Sequence, residues 1–172
     1  MVVSDVSVRV AWPADATGIA AVQLRAWQQR YANGPAVDAP TLAEAWRQSL
    51  SRPPEARHRA LVALAGDQVV GFALTGPSPD PDADPATDGE LAEFTVDPDA
   101  TRAGHGSRLL QAGADTLGAD GFTRAVCWVD TTDDVLRAFL TSAGWAADGA
   151  SRELADESGT TVKQVRLHTA LA

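Results

Sequence analysis

The segment "TRAGHGSRLL", Thr101 to Leu110, follows a β-type run, "ELAEFTV", and a proline at Pro98. Glycines at the mouth of a helix leave backbone N–H groups uncovered, and the first helical amides lack intrahelical partners. With the helix dipole they make a site for a phosphate-like anion. Gly104 and Gly106 let a bulky anion reach that backbone, Arg102 adds a positive charge and Ser107 a hydroxyl. The same glycines would also serve a plain strand-to-helix turn. A P-loop is excluded, because "GHGSR" has no lysine. A dinucleotide fingerprint is excluded because no third glycine follows.

Proton-transfer candidates lie on the strand that enters this turn. Glu90 and Glu93 are carboxylates of the type a general base requires. Strand alternation sets them on opposite faces unless a bulge intervenes, so one of the two is expected to serve. A solvated strand-edge glutamate is the plainer alternative. Cys127, in an apolar strand, reads as a buried inert thiol. His105 is expected to face solvent. His58 and His168 have no partners at ligand spacing, so no metal is predicted.

The elements that must position these residues follow from periodicity. "VSVRVAW" alternates as a half-buried strand. Ile19, Val22, Leu24, Trp27 and Tyr31 recur at helical spacing after a cap at Asp15 or Thr17. "APTLAEAWRQSL" reads as a second helix, with Thr41 and Glu44 at capping-box spacing. "ARHRALVALAGDQVVGFALTG" is a β-hairpin about a Gly-Asp turn. "PSPDPDADPATDG", Pro77 to Gly89, is too polar to bury and is expected to be an exposed, mobile loop. It could attract a cationic amine.

After the strand and glycine-led helix come "TRAVCWV", a strand covered on both faces, and the helix "DDVLRAFLTSAG". Two more strand runs, Trp145 to Leu154 and Thr161 to His168, complete the chain. The order is β-α-α-β-β-β-α-β-α-β-β. It predicts an α/β fold of the α+β type: a mixed sheet of about seven strands with helices on both faces. Its parallel crossover lies at the glycine-led helix.

The 172 residues suit one domain spanning 1–172. Twenty-three acidic residues against 14 basic ones give a net charge of −9. That balance disfavours nucleic acid and anionic membranes as partners. One cysteine, no leader-like segment and no membrane-length apolar run make a cytoplasmic location the expectation.

"VDPDATRAGHGSRLL" resembles the coenzyme-A-binding motif of the GNAT N-acetyltransferases, and "VLRAFLTSAGWAADG" resembles their later helix ending Phe-Tyr-x-x-x-Gly-Phe. The element order is similar over nearly the whole chain. The resemblance implies an acetyl-CoA-dependent N-acetyltransferase acting directly on a primary amine of a small molecule, a peptide N-terminus or a lysine. It implies pyrophosphate binding by the backbone of Arg102, Ala103, Gly104, His105, Gly106 and Ser107. Phe94, Thr95 and Val96 would pair with the pantetheine arm, with an oxyanion donor near Val96. Asp133 and Phe139 occupy cofactor-contact positions of the motif. Glu90 matches the glutamate base of the histone-acetyltransferase branch. Thr101 stands where Gln or Arg is usual, Asp133 where Asn is common, and Leu140 where a thiolate-protonating tyrosine is frequent.

The acceptor side would be shaped by the segment after the first helix and by the last hairpin. Trp27, Tyr31 and Trp46 are candidates to line it, with a core role as the alternative. Rival readings are a non-catalytic acyl-CoA-binding or sensing module, and an interaction domain whose glycines only turn the chain. A homodimer is compatible with the exposed hairpins.

Overall fold

The computed structural model describes residues 6–31, 37–100, 104–155 and 159–172. Its elements are β1 (Val6–Val10), α1 (Ala16–Arg30), α2 (Ala39–Ser51), β2 (Arg59–Ala65), β3 (Gln68–Pro77) and β4 (Asp88–Val96). They continue as α3 (His105–Ala119), β5 (Arg124–Asp130), α4 (Asp134–Ser142), β6 (Ala146–Ala155) and β7 (Thr161–Ala170). This is the order read from the sequence. The seven strands form one sheet in the order β1-β2-β3-β4-β5-β7-β6.

Pleating explains how helices cover both faces. Leu61 and Ala63 of β2 join one apolar cluster with Leu109 and Leu117 of α3 and Leu140 of α4. Val62 and Leu64, on the opposite pleat, join a second cluster with Ile19 and Val22 of α1 and Trp46 of α2. Phe72, Ile19, Leu109 and Leu117 are among the fully buried side chains. Each such burial contributes roughly 1.5–3 kcal/mol, which decides the helix placement.

β4 and β5 are parallel, and they pair only over Asp88–Glu90 against Arg124–Val126. Beyond that point the strands part, which opens a cleft that the sequence could not reveal. Every other neighbouring pair is antiparallel.

Three local expectations are corrected. Asp38, not Thr41, caps α2: its carboxylate accepts the Thr41 N–H at 2.9 Å. Trp46 is core, 9% exposed, with its indole N–H donating to Gln23 at 2.7 Å and its ring edge-on to Phe72. The Pro77–Gly89 segment is not a free loop: Pro77 ends β3, Asp88 and Gly89 begin β4, and Asp80 and Asp82 between them both pair with Arg166 of β7.

Candidate active site

Gly104 caps α3 with φ 84°. That left-handed conformation costs an L-residue roughly 1–2 kcal/mol, so glycine is required for backbone reasons. Gly106 differs: an added Cβ would meet Phe139 and Val96 at an ordinary 3.6 Å. Its openness faces the gap between the end of β4 and α4. Ser107 and Phe139 stand at one end of a groove of about 680 Å³ between α3 and α4, floored by Trp145 and Leu171.

Arg102 and Ala103, along with Thr101, lie outside the described residues. His105 does not face solvent. It is 4% exposed, one turn before Leu109 on the helix face that packs on the sheet. Its Nδ1 is buried without a hydrogen-bond partner.

Where β4 and β5 diverge, a cavity of about 180 Å³ opens. Trp27 and Arg30 of α1, Glu90 to Thr95 of β4 and Cys127 to Asp130 of β5 line it. Asp133, Leu136, Arg152 and Gln164 complete the rim. Past Glu90, the β4 edge that faces β5 has no strand partner, so its polar backbone groups are open to a ligand.

A bulge shapes this edge. Phe72 pairs with Thr95 and Leu74 with Ala92, which leaves Glu93 and Phe94 opposite Ala73 alone. Glu93 has φ 54°, the one left-handed non-glycine among the described residues. The alternation argument therefore fails: Glu90 and Glu93 both border the cavity. Phe94 turns to the other face and stacks on Phe139 with centroids 6.0 Å apart.

Glu90 has its Oε2 buried with no hydrogen-bond partner. Desolvation, then the negative charges of Asp80 and Glu93, push its carboxyl up to about 7, against the pull of Arg152. Glu93 is raised as well, first by desolvation, with Arg30 opposing and Asp130 adding. Glu93 is exposed, whereas Glu90 is half-buried with an unpartnered oxygen, so Glu90 is the more enclosed of the two carboxyls. Burial and the Glu90 charge push the Cys127 thiol up to about 12, which makes it inert.

The other carboxylates are committed. Asp133 caps α4 through the Leu136 N–H and pairs with Arg30 at 2.8 Å. Asp130 accepts the Tyr31 hydroxyl at 3.0 Å and the Gln164 amide at 2.8 Å. Tyr31 thus stands at the rim behind Asp130, whereas Trp27 forms the wall itself. Leu140 is fully buried in the apolar cluster and presents no proton donor. Trp128 and Arg152, stacked at 4.2 Å, line the cavity and were not singled out from the sequence. Trp128 is only half-buried within the otherwise buried run of β5, and β6 carries no buried residue, so no burial pattern in the sequence marks the pair.

Residues 21–145 match the model of the acetyltransferase (GNAT) family. No curated protein matches the chain. Among solved structures, the ribosomal-protein-alanine N-acetyltransferase of Brucella melitensis superposes with a TM-score of 0.75 at 22% identity, covering 96% of this chain and 99% of that one. An N-acetyltransferase of Staphylococcus aureus Mu50 gives 0.75 at 20% identity, covering 98% and 100%. The yncA protein of Salmonella typhimurium, whose structure holds its cofactor acetyl-CoA, gives 0.73 at 19% identity, covering 97% and 94%. At these identities the likeness is one of fold.

Proposed function

The chain belongs to the GNAT acetyltransferase family, and from that premise we propose that it transfers acetyl directly from acetyl-CoA to a primary amine, with both substrates bound together. The observation that carries the reading is the β4 edge left unpaired past Glu90, which runs from a buried, unpartnered Glu90 oxygen toward the glycine-led N-terminus of α3. The left-handed Gly104 and the parted β4 and β5 fit acetyl-CoA; Glu90 fits the amine.

Bound acetyl-CoA would supply the thioester and the leaving thiolate. The backbone from Gly104 to Ser107 would hold the pyrophosphate through first-turn amides and the helix dipole, and Arg102, two residues earlier in the sequence, would add positive charge. The open β4 edge, Phe94 to Val96, pairs with the pantetheine amides, and the strand-end amide near Val96 faces the charge that develops on the carbonyl oxygen. Phe139 of α4 and Asp133 at its N-cap would bound the arm on that side. The α3–α4 groove has room for the nucleotide portion.

Glu90 accepts a proton from the acceptor ammonium, leaving the neutral amine to attack. A carboxyl near 7 is a far better match to an amine than an ordinary glutamate is. Glu93 supplies a second negative charge that holds the ammonium. Trp27 and Tyr31, with Trp128, shape the acceptor wall. Because Leu140 has no hydroxyl, the thiolate takes its proton from solvent, which in turn accepts the second proton that the attacking nitrogen sheds as the amide forms.

The acceptor class is a compact primary amine on a small molecule, a peptide N-terminus or a lysine. Incubation with acetyl-CoA and a panel of such amines, read by mass spectrometry, tests the reading: acetylated product is expected. Saturable acetyl-CoA binding with no product from any amine would favour the non-catalytic module, to which Leu140 lends its support.

A further inference from the structure

The acidic loop between β3 and β4 is fastened at its root. The Asp80 carboxylate accepts the Trp128 indole N–H, with 3.1 Å to each oxygen, and the Arg166 guanidinium at 3.0 Å. Arg166 is 6% exposed, and it also binds Asp82 at 2.7 and 2.8 Å and Asp148 at 2.6 Å. Trp128 is a wall of the acceptor cavity, one strand from Glu90 and on the same side of the sheet. The clamp thus joins a surface loop to the wall on which Glu90 stands.

We propose that Asp80 is a positioning residue for the transfer: clamped between Arg166 and the Trp128 indole, it fixes one wall of the acceptor cavity and sets a carboxylate beside Glu90. This rests on the reading of Glu90 as the base. Other groups face Glu90 too. Glu93 of β4 adds negative charge, Arg152 of β6 opposes it, and the Cys127 thiol of β5 is neutral. The ring of His58 lies over Gly76, directly across from Glu90 in the β3–β4 register, where an added Cβ would meet it at 2.9 Å. Arg30 and Asp130 act further along the cavity, on Glu93. Among the charges acting on Glu90, Asp80 contributes most. Its clamp keeps it there, where a free loop carboxylate would be lost to solvent.

Carboxyl carbon NMR across a pH titration tests this without recourse to turnover, with the Glu90 signal assigned by its loss in Glu90→Gln. In Asp80→Asn, which keeps an oxygen for the indole and the guanidinium, the Glu90 midpoint is expected to fall by about one pH unit. Asp82→Asn, which alters the same Arg166 but not a charge that acts on Glu90, should leave the midpoint in place. An unmoved midpoint in Asp80→Asn, or an equal shift in Asp82→Asn, overturns the proposal. If Asp80→Asn does not fold, the wild type decides: the Asp80 carbon should show an inflection at the Glu90 midpoint that Glu90→Gln lacks, and its absence overturns the proposal. In turnover, Asp80→Asn should move the alkaline-rising limb of the rate down by the same amount with little change in acceptor KM. A limb that survives Glu90→Gln unchanged would sink the base reading alone, because the carbon midpoints still judge Asp80.

Discussion

Leu91 and Phe94 lie three residues apart on β4, yet both pack into the apolar cluster beneath α3 and α4. A regular pleat would set them on opposite faces. The bulge at Glu93 absorbs the extra residue, and in doing so swings Glu93 toward the cavity that Glu90 borders.

The bulge makes a backbone prediction. Glu93 holds φ 54°, a region that glycine enters freely and β-branched residues resist. Glu93→Gly should match or exceed the wild type in stability, by up to about 1 kcal/mol, whereas Glu93→Val should fall below it. Thermal melts of the three proteins check the order, and a Val variant as stable as the Gly variant would contradict it.

The two glycines of the donor turn should separate. Gly104→Ala places a side chain at φ 84° and should lose about 1 kcal/mol of stability. Gly106→Ala meets only ordinary contacts, so its stability should stay within about 0.5 kcal/mol of wild type. Its acetyl-CoA affinity should nonetheless drop about tenfold, roughly 1.4 kcal/mol, because the new methyl stands in the gap facing Val96 and Phe139. Melts and calorimetry together read both effects.

Placing a tyrosine at position 140, where the family resemblance leads one to expect it, should not supply an acid. Leu140 is fully buried among the side chains under α3 and α4. Leu140→Tyr overfills that site and should lose about 1–3 kcal/mol without any gain in kcat. A faster enzyme with unchanged stability would show that the position opens on the thiolate.

Glu90 also ties stability to pH. Its carboxyl is raised from 4.5 in the ordinary state to about 7 in the fold, so folding binds a proton between those values. Stability from this group is full below about 4.5 and is lost as pH rises through about 7. Glu90→Gln removes the dependence. Its Tm should exceed that of wild type at pH 8, and the gap should close at pH 4; a constant gap would contradict the raised carboxyl.

Much of this was legible in local periodicity. Alternation in "VSVRVAW" and helical spacing from Ile19 to Trp27 reflect burial on one face, which the residues themselves carry. The turn into α3 was legible for the same reason, since Gly104 answers a local φ requirement. What escaped depends on partners distant in sequence. Arg166 and Asp80 are 86 residues apart, and their pairing turns a loop that reads as mobile into a clamp. His105 is buried by its register with Leu109, which outweighs its polar side chain. The Glu93 bulge was invisible because one extra residue in a strand leaves no compositional mark. Thr41 and Glu44 had capping spacing, but Asp38 stands three residues before Thr41 and bonds its N–H first.

The central claim is that Glu90 deprotonates the acceptor amine. The most direct test is the pH dependence of acetyl transfer at saturating acetyl-CoA, in the wild type and in Glu90→Gln. In the wild type, kcat/KM for the amine should rise through a limb centred near 7. In Glu90→Gln the rate should fall about a hundredfold at pH 7.5 and the limb should vanish. An unchanged limb in a folded, acetyl-CoA-binding variant would contradict the account and return Glu90 to the role of a buried wall residue.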